Sequence, residues 1–271
     1  MTRVLTAAAL LPLLWLSIKR APAFAFYALV GLVMLIAAWE CYALLEAKGS
    51  RPLRGLGLAG CLAVTGSFAY TGARVNPALP LVLVTIVAIA GAMWRRGDPA
   101  AMLETAGATL FPVLFVGLTL GYPIALRALP GENATDLLLL LALCVMAGDT
   151  AAFYFGSKFG RHRMAPKVSP KKSWEGAAGG VVASVAGAVL AHFWFFLRLP
   201  LAHAVALGVV LSLTGILGDL AESMLKRAAG VKDSSALLPG HGGVLDRLDS
   251  LLVAAPVLYY YWSVFLAGVQ S

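Results

Sequence analysis

Apolar stretches close to the length of a membrane-crossing helix recur along the whole chain. A helix needs roughly 20 apolar residues to cross the hydrocarbon core of a bilayer. Nine windows approach that length, at about residues 4–18, 22–45, 55–73, 78–94, 104–127, 136–155, 175–197, 200–222 and 248–268. The chain is 60% hydrophobic and 13% charged, whereas about a quarter of the residues in a soluble domain are charged. The sequence therefore predicts an all-α polytopic membrane protein with about nine transmembrane helices.

The positive residues divide unevenly between the two sides that these windows define. With the N-terminus in the cytoplasm, sixteen of the 21 Lys and Arg residues lie inside and five lie outside. Short cytoplasmic loops are enriched in Lys and Arg. We therefore expect a multi-pass protein of the cell (inner) membrane, with the N-terminus and the charge-rich loops in the cytoplasm. The net charge of +8 does not indicate nucleic-acid binding, because no basic stripe with interleaved aromatic residues lies on a soluble module.

Small residues inside the windows indicate helix packing rather than chemistry. The run Gly55–Gly60 matches a dinucleotide-binding pattern by letter, but it lies in a membrane window without a preceding strand. Close helix packing explains it better, and the same holds for a small-residue surface on the seventh window. That surface consists of Gly176, Gly179, Gly180, Ala183 and Gly187. The three cysteines, Cys41, Cys61 and Cys144, lie in separate windows and are expected in the core.

The two halves of the chain differ in polarity. Residues 1–135 are apolar spans joined by short loops, whereas later loops lengthen and carboxylates enter the spans, notably Asp149, Asp219 and Glu222. Charged groups at membrane depth are costly and mark function. We expect one integral membrane domain over residues 1–271, with scaffold spans in 1–135 and a catalytic half in 136–271.

The eighth window carries a polar stripe. Five residues fall at spacings i, i+3, i+4, i+7 and i+8, which places them on one helical face. They are Asp219, Glu222, Ser223, Lys226 and Arg227. The stripe offers oxygen ligands at its inner part and cations at the cytoplasmic end. A simple ion pair between Glu222 and Lys226 is the alternative.

The following loop and the start of the ninth window are also rich in charge. Lys232 and Asp233 precede the segment Pro239–Gly243, whose four helix breakers expose backbone N–H groups that suit phosphate. Its His241 is a candidate general acid or base, metal ligand or hydrogen-bond donor. Asp246, Arg247 and Asp249 then open the ninth window. Asp246 has helix capping as its alternative role.

The loop after the sixth window presents the third group of polar residues. It begins near Asp149 and contains the ordered run Ser169–Gly176. Ser169 or Ser173 is a candidate cap for the next helix, and Lys171 and Lys172 would then face an anion near its positive end. Nonspecific contact with lipid headgroups is the alternative for these lysines.

Carboxylates combined with Lys and Arg suit Mg²⁺ and a polyphosphate, since Mg²⁺ is typically bound by one or two carboxylates and substrate phosphates. A nucleotide is the natural candidate. The chain has no P-loop element and no protein-kinase signature set.

The residues from Ser223 to Asp249 resemble the signature of a known family, the phosphatidate cytidylyltransferases or CDP-diacylglycerol synthases. The resemblance rests on Ser223, Leu225, Lys226, Arg227, Lys232, Asp233, Ser235, Leu238, Pro239, His241, Gly242, Gly243, Val244, Asp246, Arg247, Leu248 and Asp249. It extends upstream to about residue 148, with mild departures at Phe153, where Tyr is more usual, and Ser173, where Thr is commoner.

The resemblance implies a membrane enzyme that converts CTP and phosphatidic acid into CDP-diacylglycerol and pyrophosphate. It implies a requirement for Mg²⁺, with a second metal ion in a two-metal centre, and assembly as a homodimer in the bilayer. Carried onto this chain, it makes Asp219 and Asp246 metal ligands, with Asp249 and Asp149 as further members.

We hypothesise the following roles for the motif residues. The catalytic group is Asp219, Asp246, Lys226, Arg247 and His241, and the substrate-binding group is Lys171, Lys172, Ser223, Arg227, Lys232, Asp233, Gly242 and Gly243. Within these groups, Lys226, Arg227, Lys232 and Arg247 would bind CTP phosphates or the departing pyrophosphate, and Lys171 and Lys172 would engage either substrate.

Two other functions compete with this hypothesis. A CTP-dependent polyprenol or phytol kinase would share the architecture but would release CDP and a lipid phosphate. An ion-coupled transporter would use Asp149, Asp219 and Glu222 as a path for protons or cations, although the sequence shows no inverted-repeat symmetry. A CDP-alcohol phosphotransferase would need a different Asp-rich pattern.

Overall fold

The computed structural model describes residues 15–69, 77–95, 97–129, 133–237 and 242–266. Its elements in chain order are α1 (Ala23–Ala47), α2 (Arg54–Ser67), α3 (Ala78–Trp94), α4 (Pro99–Pro112), a π-helical segment (Val113–Leu118), α5 (Gly121–Arg127), α6 (Asn133–Phe159), β1 (Arg163–Ala165), β2 (Ser169–Ser173), α7 (Trp174–Trp194), α8 (Leu201–Ala228), α9 (Leu245–Tyr261) and a second π-helical segment (Trp262–Leu266). The protein is thus almost entirely helical over these residues.

Six helical stretches of the described chain are long and apolar enough to cross a bilayer. They are Ala23–Ala47, Pro99–Arg127, Asn133–Phe159, Trp174–Trp194, Leu201–Ala228 and Leu245–Leu266. This makes the chain a multi-pass membrane protein. The apolar α3 has 17 residues and α2 has 14, both short of the roughly 20 that a span needs. The predicted count of nine is not confirmed, and most of the window at 4–18 lies outside the described residues.

The stretch Pro99–Arg127 changes its helical register in the middle. Pro112 ends the α-helical part, and the next six residues, Val113–Leu118, are π-helical. Proline lacks the N–H that an α-helix needs at this point, so a local change in hydrogen-bond register is the expected response. Residues 119 and 120 form a turn, and α5 then carries the apolar stretch to Arg127.

The described contacts divide the chain into two compact units. Unit 1 contains residues 1–128 and 225–247, and unit 2 contains residues 129–224 and 248–271. The prediction of a single domain with a functional boundary near residue 135 stays a prediction. Each unit has its own core and its own group of polar residues.

Hydrogen bonds to main-chain carbonyls link the helices of unit 1. The Tyr42 hydroxyl donates to the Thr109 carbonyl oxygen at 2.6 Å, and the Thr65 hydroxyl donates to the Gly117 carbonyl oxygen at 2.6 Å. A side chain at Gly57 would collide with the Tyr42 ring, and one at Gly60 would collide with Val84. The predicted packing role is therefore confirmed for Gly57 and Gly60, whereas a Cβ atom at Gly55 would have nothing within 4 Å.

Unit 2 is built around the close pair α6 and α7. A Cβ atom at Gly176 would lie 2.7 Å from the Ala152 carbonyl oxygen and 3.0 Å from the Gly156 Cα. One at Gly180 would lie 3.0 Å from the Gly148 carbonyl oxygen. The backbones of the two helices thus nearly touch, as small residues permit inside a membrane. The predicted small-residue surface on this span is confirmed.

A short antiparallel hairpin precedes α7 and was not part of the all-α prediction. Arg163 pairs with Ser173 and Ala165 with Ser169, with a shift of register between them. Proline at position 170 disfavours helical geometry for the residue before it, which explains why a lysine-rich segment beside a long helix is extended. The strands have only three and five residues, too few for an alternating pattern to be recognised in the sequence.

The hairpin joins α7 without a linker. Ser173 is the last residue of β2 and the N-cap of α7, where its hydroxyl oxygen accepts a hydrogen bond from the Gly176 N–H at 3.2 Å. The sequence left Ser169 and Ser173 as alternative caps, and the structure selects Ser173. Glu175 in the first turn accepts hydrogen bonds from the Arg161 and His162 N–H groups, at 3.1 and 3.2 Å.

The cysteines behave as predicted. Cys41, Cys61 and Cys144 are buried and form no disulfide in the described part of the chain. All three belong to helices of the apolar core, so packing accounts for them.

The contact between α6 and α7 leads to a testable prediction. We expect Gly176→Ala to destabilise the protein by about 1–3 kcal/mol, because the added methyl group meets main-chain atoms that cannot rotate away. Thermal unfolding in detergent measures this effect as a lower Tm. Gly107→Ala is the matched control, since its position in α4 has nothing within 4 Å of the new Cβ and should keep or raise the Tm. Equal Tm values for the Gly176 variant and the native chain would contradict the packing described here.

Candidate active site

Three carboxylates meet in unit 2. Asp219 and Glu222 on α8 and Asp249 on α9 each offer an oxygen atom, and these atoms all lie within 4.8 Å of one another. Glu222 is fully buried, while Asp219 and Asp249 are partly exposed. The structure thus brings together two of the four predicted metal ligands and adds Glu222, which the sequence placed on the same stripe.

Helix packing explains how these carboxylates come together. A Cβ atom at Gly218 would collide with the main-chain carbonyl of Asp249, so the two segments approach at backbone distance. Asp219 and Glu222 lie one helical turn apart on α8 and share a face. The Ser223 hydroxyl donates to Asp219 Oδ1 at 3.2 Å. This predicted substrate-binding serine therefore helps to orient the carboxylate beside it.

Lys172 is the cation that the hairpin brings to this cluster. Its Nζ lies 2.7 Å from Asp219 Oδ2 and 3.5 Å from the Ile216 carbonyl oxygen. Lys171, the neighbouring residue on β2, has an exposed side chain, and its main-chain oxygen accepts a hydrogen bond from Arg163 at 3.2 Å. The alternation of a strand separates the two lysines: Lys172 faces the carboxylates and Lys171 faces away from the core.

Asp149 is connected to the cluster through one residue. The Ser250 hydroxyl donates to Asp149 Oδ1 at 3.3 Å, and the Ser250 N–H donates to Asp249 Oδ1 at 2.7 Å. Asp149 lies outside the group of three carboxylates with ligand atoms within 4.8 Å. Its described contact places it beside Asp249 as a neighbour in a hydrogen-bonded chain.

Asp246 belongs to a separate polar network in unit 1. Its Oδ1 accepts a hydrogen bond from Lys226 Nζ at 2.6 Å. Its Oδ2 accepts from the Ser234 N–H at 2.9 Å, the Ser234 hydroxyl at 2.8 Å and the Gly243 N–H at 2.7 Å. These contacts engage both oxygens of a buried carboxylate. Its predicted role as a metal ligand stays a prediction, and within unit 1 it organises the loop.

Glu40 on α1 is a second carboxylate in this network. Its Oε1 accepts hydrogen bonds from the Ser235 hydroxyl at 2.6 Å and the Val244 N–H at 3.1 Å. Its Oε2 accepts from the Leu245 N–H at 2.7 Å and the Ser234 hydroxyl at 3.1 Å. Glu40 is 4% exposed. It reaches the loop from a helix to which the sequence assigned only a scaffold role.

The glycines of the predicted phosphate-binding segment have distinct geometric roles. Gly242 has a φ of 76°, in the left-handed region that favours glycine. A side chain at Gly243 would collide with the Ser234 hydroxyl and the Glu40 carboxylate. The loop therefore needs glycine for its turn at one position and for close packing at the next. Their predicted contact with substrate stays a prediction.

The remaining candidate residues lie at the surface of unit 1 or outside the described residues. Lys232, Asp233 and Arg247 are exposed. The exposed Arg227 donates to the Val231 carbonyl oxygen at 2.7 Å, which ties the end of α8 to the following turn. His241 lies outside the described residues, so its role stays a hypothesis.

The sequence pattern singled out neither Glu40 nor Ser234 of this network. A signal was present at Glu40, since it is a single carboxylate near the C-terminal end of the apolar window at 22–45, and charge at such a place is costly. Because Glu40 lies far from the motif residues along the chain, its contact with their loop could not be predicted from the sequence. Only the folded chain brings it to Ser234 and Leu245.

Comparison with known proteins indicates the same family as the motif residues do. A family model described as the cytidylyltransferase family matches residues 1–265. A phosphatidate cytidylyltransferase of Haemophilus influenzae is 39% identical over 188 residues, which are 68% of this chain and 64% of the relative. Proteins with the same name from Brucella suis and Mycobacterium tuberculosis are 42% identical over 175 residues and 40% over 158.

These alignments are partial on both sides. They cover 64% of this chain and 60% of the Brucella protein, and 58% of this chain and 47% of the Mycobacterium protein. The chain spans about half to two thirds of the length of the curated relatives it matches. The family model, by contrast, covers nearly all of the 271 residues. The resemblance in the motif residues is thereby confirmed, and the chain belongs to the cytidylyltransferase family.

Proposed function

We propose that the protein transfers the cytidylyl group of CTP to phosphatidic acid, producing CDP-diacylglycerol and pyrophosphate. Family membership and the names of the relatives support this reaction. The observation that carries the proposal is the meeting of Asp219, Glu222 and Asp249 beside Lys172. Such a site suits chemistry between two phosphate groups, in which negative charge must be neutralised.

The donor set fits Mg²⁺. Three carboxylates within 4.8 Å provide hard oxygen ligands, which Mg²⁺ prefers, and they leave room for substrate phosphates and water in its coordination shell. Like charges this close repel one another, and Lys172 pairs with Asp219 at 2.7 Å. Asp219, Glu222 and Asp249 would hold the ion, with Asp149 as a further candidate for a second one. The bound ion would neutralise phosphate charge and polarise the phosphoryl oxygens.

The reaction places few demands on acid–base groups of the protein. The phosphate of phosphatidic acid already carries a negative charge at neutral pH, so one of its oxygens can attack the α-phosphorus of CTP directly. The new oxygen–phosphorus bond forms as the bond to the β-phosphate oxygen breaks, and its electron pair leaves with pyrophosphate. Lys172 would attract the phosphate groups while holding Asp219 in place. No covalent intermediate on the protein is needed.

The polar residues of unit 1 would serve the nucleotide. Lys226 and the exposed Arg227, Lys232 and Arg247 provide cations for the triphosphate or the departing pyrophosphate. Gly242, with its left-handed φ, would present its main chain to a phosphate, while Gly243 holds the loop through its N–H to Asp246. Lys226 also balances the charge of Asp246, so the same ammonium group would order the loop and attract the nucleotide.

Location and assembly follow the same proposal. The membrane helices support a lipid substrate whose acyl chains remain in the bilayer while its headgroup reaches the polar residues. We propose that the polar loops face the cytoplasm of the inner membrane, as the distribution of positive residues indicates. A homodimer remains an expectation from the family resemblance.

The identity of the products tests the proposed reaction. Purified protein in detergent, given CTP labelled at the α-phosphate, phosphatidic acid and Mg²⁺, should produce labelled CDP-diacylglycerol together with pyrophosphate. A polyprenol or phytol kinase would instead yield labelled CDP and an unlabelled lipid phosphate. Turnover of CTP that depends on a polyprenol and not on phosphatidic acid would refute the proposal.

Asp219→Asn tests the carboxylate cluster. We expect turnover to fall by at least about 100-fold, because even outer-shell partners of a metal site contribute 10- to 100-fold. We also expect the Mg²⁺ concentration for half-maximal rate to rise, since one anionic ligand is lost. Asp98→Asn is the control: Asp98 caps α4 through the Ala101 N–H at 2.6 Å, and Asn caps helices equally well. Native activity of Asp219→Asn would exclude the metal role.

Lys172→Gln tests whether Lys172 itself, and not the overall positive charge of the hairpin, supports turnover. We expect kcat/KM to fall by about 10- to 100-fold, the range for losing a hydrogen bond to a charged group. The matched change Lys167→Gln, at an exposed position of the same hairpin, should alter kcat/KM by less than about threefold. Similar losses in the two variants would mean that the hairpin acts only through its overall charge.

A further inference from the structure

A buried carboxylate from the first half of the chain orders the loop that carries the motif residues. Glu40 accepts hydrogen bonds at both oxygens, from the Ser234 and Ser235 hydroxyls and from the Val244 and Leu245 N–H groups, at 2.6–3.1 Å. The last two N–H groups stand at the start of α9, where the helix favours negative charge. All four partners belong to unit 1, as Glu40 does.

The network of Glu40 is shared with Asp246. The Ser234 hydroxyl lies 3.1 Å from Glu40 Oε2 and 2.8 Å from Asp246 Oδ2, so it bridges the two carboxylates. Gly243 donates its N–H to Asp246, and its missing side chain leaves the space that Glu40 and Ser234 fill. A shift of Glu40 would therefore move the partners of Asp246 as well.

The N–H donors around Glu40 favour a carboxylate at position 40. The Val244 and Leu245 N–H groups at the start of α9 can only donate, one to each oxygen of Glu40, and the Ser235 hydroxyl donates to Oε1. An amide in place of the carboxylate would turn an N–H₂ group toward one of these N–H groups. That contact is repulsive and leaves a buried donor unsatisfied.

We propose that Glu40 is a positioning residue for cytidylyl transfer, which holds residues 234–246 in the conformation that the reaction uses. The effect of Glu40 on turnover rests on the proposed function. The effect of Glu40 on the loop rests on the hydrogen-bond geometry. Glu40 touches no reacting atom in this account. It acts through Ser234, Gly243 and Asp246.

Glu40→Gln tests the inference with two independent measurements. Hydrogen exchange of the peptide covering residues 242–248 should accelerate by about tenfold or more, because the Val244 and Leu245 N–H groups lose their acceptor. The kcat for cytidylyl transfer should fall by about 10- to 100-fold, the range for one hydrogen bond to a charged group.

Glu46→Gln provides the matched control. Glu46 lies on the same helix and pairs with Arg54 at 2.9 Å, with a side chain that is 39% exposed. Loss of such a surface pair should change kcat and the exchange of the 242–248 peptide by less than about twofold. An equal effect of the two variants would mean that any lost charge on α1 disturbs the loop, and it would overturn the specific role of Glu40.

Ser235→Ala is a milder variant that keeps the test decisive if Glu40→Gln cannot be purified. It removes one donor to Glu40 Oε1 and should lower kcat by about 3- to 10-fold. In the double variant the Ser235 change should add little to the loss from Glu40→Gln, because both remove the same contact. Fully additive losses in kcat would contradict a role of Ser235 through Glu40.

The two proposals fail in different ways. Native exchange in Glu40→Gln overturns the inference about Glu40, and so does faster exchange with an unchanged kcat, since Glu40 would then serve the loop structure alone. A native chain that makes no CDP-diacylglycerol overturns the proposed reaction instead.

Discussion

A carboxylate inside an apolar protein must be balanced, because an ionised group without partners is far costlier there than in water. The two polar groups of this chain satisfy that constraint differently. In unit 1, Glu40 and Asp246 are surrounded by N–H and hydroxyl donors, with Lys226 as the cation. In unit 2, Asp219, Glu222 and Asp249 face one another beside Lys172. The first arrangement suits a fixed loop, and the second, with three acidic groups close together, suits the binding of a divalent cation.

The sequence predicted the helices well where a helix has to be long and apolar enough to cross the bilayer. Six apolar windows correspond to helices long enough to span a bilayer, because length and hydropathy are the dominant requirements there. The glycine surface of α7 was predictable for a related reason, since small residues on one face have few uses other than close packing. The β1–β2 hairpin was not predictable, because its geometry follows from Pro170 and from pairing over very few residues.

The candidate site was likewise predictable from the sequence only in part. The stripe on α8 placed Asp219, Glu222 and Ser223 together from spacing alone, and the structure adds Asp249 and Lys172 from other elements. Spacing along one helix is visible in a sequence, whereas contacts between elements are not. Glu40 illustrates the limit: its partners lie about two hundred residues further along the chain, and without the fold its carboxylate was only an unexplained charge in an apolar window.

The direct junction between β2 and α7 has a mechanical consequence. Ser173 ends the strand and caps the helix, and Lys172 comes directly before it. No linker residues therefore separate Lys172 from the membrane helix α7. Transmembrane helices adjust their tilt when the bilayer becomes thinner or thicker. A change in the inclination of α7 would therefore be transmitted to Lys172 and to its distance from Asp219.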